Sequence, residues 1–167
     1  MAIRYASGSL SEAPEDIIAH VVDNRGKANS PIALGLQKKF FGLKEMYNKM
    51  ILCNDLGAVI WYKIQQEKSK KKNRWIANMI AHDLKKLRRE PLFDCLNLVE
   101  QEMRYQNLNS VAFPVIGNEN WPAVERMIAH IFVGKNVTIY RHRPTYNIGI
   151  SNVVLTHDFG TPLSRAA

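Results

Sequence analysis

The stretch that decides the fold runs Asp16-Ile17-Ile18-Ala19-His20-Val21-Val22, then Asp23-Asn24-Arg25-Gly26-Lys27-Ala28-Asn29-Ser30, then Pro31-Ile32-Ala33-Leu34-Gly35-Leu36-Gln37-Lys38-Lys39-Phe40. The first segment is a nearly unbroken apolar run, the style of a strand buried on both faces rather than on one. The second is polar and carries turn residues. The third opens with Ser30, a good N-cap, and Pro31, whose fixed φ and missing N–H suit the first helical position. Ile32, Leu36 and Phe40 then repeat at helical spacing. A buried strand passed through a short loop to a helix is half of a β-α unit, and such units build parallel sheets covered on both faces.

Working outward, the same alternation continues. Ile3–Ala6 is a strand candidate, with Ser7-Gly8-Ser9 as its turn. A second helical piece is expected from Leu43 to Leu52. Ala58–Ile64 and Arg74–Ala81 read as an antiparallel strand pair joined by a lysine-rich polar turn. Pro91 opens a helix whose Leu92, Leu96, Val99 and Met103 form a core stripe. Ser110–Ile116 is the next strand, and Asn120 can cap a helix with Val124, Ile128 and Ile131 inward. Asn136–Tyr140 closes the compact unit. The order predicts a three-layer α/β/α domain with a mixed, mostly parallel sheet of about six strands over residues 1–140. Residues 141–167 form a C-terminal tail that packs on the domain or extends from it, with one strand expected over Ile148–Leu155.

The chain of 167 residues has one domain's length. Lys and Arg number 23 against 15 Asp and Glu, a net charge of +8. That excess favours an anionic ligand or partner: a nucleotide, a nucleic acid or an acidic protein surface. Much of it sits in Lys68–Arg74 and Lys85–Arg89. No window is apolar enough for a membrane span, and the first residues lack a basic-then-apolar leader, so a cytoplasmic location is expected. Cys53 and Cys95 match neither a metal nor a disulfide pattern and read as two buried thiols. No metal or cofactor is expected.

In doubly wound sheets, ligands bind outside the carboxyl ends of the strands. Here those ends are His20–Ser30, His82–Glu90, Gly117–Trp121 and Tyr140–Arg143. Two of these loops run into helix N-termini, whose unpaired N–H groups and positive dipole end suit phosphate. A diphosphate between Ser30–Ala33 and Ile116–Trp121 is physically sensible.

The run Ile18–Ala33 resembles, without a gap from His20 onward, a macro-domain pattern of the form I-x-H-x-x-N-x-x-G-K-x-G-x-G-I-A. Trp75–Met79 (WIANM), Val111–Gly117 (VAFPVIG) and Val137–Tyr140 (VTIY) are similar to three later strands of that family in the same order. The resemblance covers about residues 1–140, nearest to the subgroup of ADP-ribose-1''-phosphate phosphatases and ADP-ribosyl-glutamate hydrolases. It implies ADP-ribose or a related nucleotide as ligand, with possible hydrolysis of ADP-ribosyl linkages or of an ADP-ribose phosphate. It points to Asp23, His20 and Lys85 as candidate catalytic residues. It places the ligand against Ser9, Leu10, Asn24, Asn29, Ser30, Ile32, Ile116, Gly117, Asn118, Glu119 and Tyr140.

The departures are as informative. The family's adenine-binding Asp is replaced by Ser9, so a charge-assisted bond worth ~1.5–3 kcal/mol becomes a neutral one of ~0.5–1.5. The family's Asn near the distal ribose is Asp23, with Asn24 beside it. The glycine-rich phosphate loop is replaced by Asn29-Ser30-Pro31. The second phosphate loop is shortened to Asn118-Glu119-Asn120, with Glu119 as its one carboxylate. Three readings stand: a hydrolase acting on ADP-ribosyl or ADP-ribose-phosphate substrates, a module that binds ADP-ribose without turnover, and an inactive macro-like scaffold whose basic surfaces hold protein or nucleic acid.

Overall fold

The computed structural model describes residues 3–65 and 72–141, and the backbone of 145–147 and 154–156. Strands are β1 (Ile3–Ser7), β2 (Ile17–Asp23), β3 (Val59–Lys63), β4 (Trp75–Asp83), β5 (Lys86–Leu87), β6 (Ser110–Pro114) and β7 (Asn136–Arg141). Helices are α1 (Pro31–Lys39), α2 (Leu43–Met50), α3 (Arg89–Gln106) and α4 (Trp121–Ile131). The sheet order is β1-β7-β6-β2-β4-β3, with β5 added to β4. Neighbours from β1 to β4 are all parallel, while β3 and β5 pair antiparallel with β4.

The central strands are apolar on both faces because both faces are covered. Ile17, Ala19, Ala77, Met79, Val111, Phe113, Val137 and Ile139 pack with Leu92, Leu96, Val99 and Met103 of α3 and with Val124 and Ile128 of α4. On the other face Ile18, Ile76 and Ala112 meet Leu36, Phe40 and Leu43 of the α1–α2 side. Val22, Ile60 and Ile80 surround Tyr47 and Ile51 beside them. At ~25 cal/mol per Å² of apolar surface, burying these two faces is what holds the layers together.

Local signals behave as expected at α1. The Ser30 Oγ accepts from the Ala33 N–H at 3.1 Å, and Pro31 occupies the first turn. Elsewhere the structure revises the sequence reading. Helix α3 begins at Arg89, ahead of Pro91. The segment after β4, expected as a loop, makes a hairpin into β5 through Leu84 and Lys85, both with positive φ (53° and 64°). Such a turn normally advertises itself with Asn-Gly or Asp-Gly, and Leu-Lys does not. Cys95 is buried, but Cys53 is exposed. Cys53 ends a 3-10 turn (Ile51–Cys53) in which Ile51 is the buried side chain. The expected strand Ile148–Leu155 lies mostly outside the described residues. Within the described tail, β8 (Thr145–Asn147) pairs antiparallel with β9 (Val154–Thr156) in a separate two-stranded sheet.

Candidate functional site

Five parallel strands bring Ser7, Arg141, Pro114, Asp23 and Asp83 to one edge of the sheet as their carboxyl ends. The middle of that edge is the most built. Strand β2 shifts register against β4 between Val22 and Asp23, so that Asp23 pairs with His82. The Asn24 N–H donates to the His82 carbonyl at 3.0 Å. The Tyr47 hydroxyl, from α2, donates to the Asp23 carbonyl at 2.6 Å. Burial and the nearby Asp23 carboxylate push the Tyr47 phenol up to about 12, so it remains a donor.

Asp23 is buried, and its Oδ1 accepts the Arg25 N–H at 2.6 Å, a bond that shapes the turn. Its neighbour Asn24 carries a buried Oδ1 with no donor among the described residues. His82 beside them is held below the usual imidazole range by burial, with the Asp23 charge acting in the opposite direction. Across the strand ends, Asp83 receives both Arg25 and Arg88, each at 3.3 Å. These pairs are more than half exposed on the arginine side, so they orient the loops more than they stabilise them.

His20 lies elsewhere. It is 2% exposed, inside the sheet, three residues before the end of β2. Asn78 Nδ2 donates to the Ile60 carbonyl at 2.9 Å, which leaves Asn78 Oδ1 to accept from His20 Nε2 at 2.6 Å. That arrangement puts the imidazole proton on Nε2. The buried Nδ1 has no partner among the described residues, and burial lowers the His20 pKa to about 4. A neutral imidazole enclosed between strands is suited to joining β2, β4 and β3. Lys85, the third candidate catalytic residue, is exposed at the tip of the β4–β5 turn.

The expected ligand contacts divide likewise. At the start of α1 the Ala33 N–H is taken by Ser30 Oγ and the Leu34 N–H by the Ser30 carbonyl, and Pro31 has none. Ile32 is left as the one first-turn amide without a bond among the described residues, while Asn29 and Ser30 are exposed beside it. Gly117 and Asn118 both have positive φ (80° and 38°), which turns the chain sharply out of β6 before α4. Ile116 is buried behind them, and Asn118 and Glu119 are exposed. The Ser9 Oγ is engaged with Ser11, capping a 3-10 turn (Leu10–Glu12) whose Leu10 is buried. Tyr140 turns away from the edge, its hydroxyl donating to Glu15 Oε1 at 2.8 Å.

Tyr47 and Asn78 were missed by sequence reasoning because each acts through a partner far along the chain. So was a cluster at the β1 side of the edge. There Arg141 stacks on the Tyr5 ring at 4.1 Å, Trp121 Nε1 donates to the Tyr5 hydroxyl at 3.2 Å, and that hydroxyl donates to Glu125. Tyr5 pairs with Ile139 and Arg141 with Ser7, so this diagonal contact is a weak signal without the register. Among the described residues no group of three or more His, Cys, Asp or Glu is placed to hold a metal ion, and no helix is long and apolar enough to cross a membrane.

No protein-family model and no curated protein matches the sequence. Solved structures do match its fold. The macrodomain of Thermus aquaticus DarG superposes with a TM-score of 0.69 at 22% identity, covering 86% of this chain and 99% of that one. A macrodomain protein from Streptomyces coelicolor gives 0.68 at 27% identity, covering 83% and 98%. Thermosipho africanus DarTG, solved in complex with ADP-ribose, gives 0.69 at 13% identity, covering 83% of this chain and 41% of that one. The sheet order, the helical layers and these likenesses agree: this chain has the macrodomain fold.

Proposed function

We propose that the carboxyl edge of the sheet binds ADP-ribose or a closely related nucleotide. The observation that carries this reading is the pair Asp23 and Asn24 at the end of β2. Asn24 presents a buried acceptor that no described residue serves, beside a buried carboxylate already fixed by the Arg25 amide. An unserved buried acceptor costs ~1–3 kcal/mol, which a ribose hydroxyl would recover by donating to it. The Ile32 amide at the α1 N-terminus and the sharp Gly117-Asn118 turn face the diphosphate. The shared fold with a protein solved in complex with ADP-ribose supports the choice of ligand.

The α1 cradle offers one amide where a glycine loop would offer several, so affinity is modest. Calorimetry with ADP-ribose tests the reading. Saturable heat that falls at least about tenfold in Asp23→Ala supports it, and no heat at millimolar protein and ligand overturns it. Whether binding leads to hydrolysis rests on Asp23 as base and Lys85 as nucleophile. Incubation with ADP-ribosylated protein decides this, and turnover unchanged in Asp23→Ala and in Lys85→Ala would remove both assignments.

One observation favours a second reading. Lys85, Lys86, Arg88 and Arg89 are exposed together near this edge, with exposed Arg25 and Lys27 on the neighbouring loop. Such a rim suits a polyanion, and an inactive scaffold binding nucleic acid would use it. Steep loss of oligonucleotide affinity with salt, in a protein that gives no heat with ADP-ribose, would select that reading.

A further inference from the structure

A cavity of about 350 Å³ lies away from the carboxyl edge, at the amino ends of β1, β7 and β6. Arg4, Glu15, Ser110, Asn136 and Thr138 line it. Its floor is fixed by the protein's own bonds. Arg74 Nε donates to the Glu15 carbonyl at 2.9 Å, and Arg74 Nη2 donates to that of Ala13. Asp16 Oδ2 accepts the Asn109 and Ser110 amides at 2.9 and 3.2 Å, and Ser110 Oγ accepts the Asp16 N–H at 2.9 Å.

Two opposite charges face this cavity, and neither is saturated by the described residues. Glu15 is 7% exposed; its Oε1 is taken by Tyr140, and among the described residues its Oε2 has only Arg4 Nη2, at 4.0 Å. That is too long for a hydrogen bond. The Arg4 side chain is 75% exposed, and its one hydrogen bond among the described residues is a 3.4 Å contact to Thr138 Oγ1. Glu15 Oε2 is therefore open to a further donor from the cavity side. A simple cation at Glu15 would be repelled by Arg4 and Arg74. A simple anion at Arg4 would face the Glu15 charge beneath it. A molecule carrying both charges meets neither objection.

We propose that this cavity is a second ligand site, taking a small zwitterion with the ammonium and carboxylate arrangement of an α-amino acid. The ammonium donates to Glu15 Oε2. The carboxylate takes the Arg4 guanidinium in a two-pronged pair. The hydroxyls of Ser110 and Thr138 and the Asn136 amide serve what remains. The site is independent of the nucleotide reading, since it lies at the opposite end of the strands.

Amide NMR on the full chain tests this with L-alanine, L-leucine and L-glutamine, which share the zwitterion and differ in side chain. At least one should give saturable shifts centred on Ser110, Asn136, Val137 and Thr138. Its methyl ester, lacking the anion, and its N-acetyl form, lacking the cation, should each bind at least about tenfold more weakly. Arg4→Ala removes an exposed side chain and should weaken the amino acid by a similar factor; Glu15→Gln should do the same while the spectrum stays native. No saturable shift from any of the three at about 20 mM, far weaker than ordinary ligand affinities, would overturn the proposal. So would an ester that binds as well as its parent, or an affinity unchanged in Arg4→Ala.

Discussion

His20 Nε2 and Asn78 Oδ1 lie 2.6 Å apart between two parallel strands, and this bond decides which protonation state the core accepts. A second proton would have to sit on Nδ1, which is buried and has no acceptor among the described residues. The folded pKa is therefore about 4, against 6.5 for a free imidazole. Above pH 6.5 both folded and unfolded chains are neutral at this site, and its contribution to stability is complete. As pH falls through 6.5 the unfolded chain takes a proton that the folded chain resists until about pH 4. The loss across that window should reach roughly 3 kcal/mol. Urea midpoints measured at pH 7 and near pH 4 should differ accordingly, and His20→Gln should flatten the difference.

Tyr47→Phe should loosen the end of β2. It removes the 2.6 Å bond to the Asp23 carbonyl without changing the shape of the ring. We expect a loss of about 1–2 kcal/mol in urea denaturation, since a buried carbonyl loses its donor. ADP-ribose affinity should fall with it, because Asp23 and Asn24 hang from that carbonyl. Unchanged affinity in a destabilised Tyr47→Phe protein would separate the ligand from this strand end.

Gly117→Ala meets two obstacles. The position has φ 80°, and an added Cβ would lie 2.9 Å from Leu87 Cδ2. A destabilisation of about 1–3 kcal/mol is expected from backbone and contact together. Adding Leu87→Ala should recover the contact part and leave the backbone part. Thermal unfolding of the two single variants and the double variant reads both.

The two thiols should behave differently. Burial pushes the Cys95 thiol up to about 12, and its Sγ lies against the Ala58 and Ile80 carbonyls at 3.4 and 3.7 Å. Cys53 is exposed. A chromogenic disulfide reagent should therefore titrate one thiol quickly in the native protein and two in denaturant. Rapid reaction of both in the native state would place Cys95 wrongly.

What the sequence determined by itself was whatever depends on near neighbours. The apolar run Ile17–Val22 makes a strand buried on both faces, and Ser30-Pro31 starts a helix, because caps and periodicity act within a few residues. From the alternation of such segments follows a mostly parallel sheet, and from that the edge where a ligand is expected. Where the local signal was thin, the reading failed. Leu84-Lys85 hides a hairpin turn, and the apolar neighbours of Cys53 do not show that a 3-10 turn buries Ile51 and exposes the thiol. Tertiary structure alone decided the pairings across long stretches of chain: His20 with Asn78, Tyr47 with Asp23, Arg4 with Glu15. These depend on strand register and on which helix covers which strand. Neither is encoded in any short window, because each is set by how the two core faces pack together.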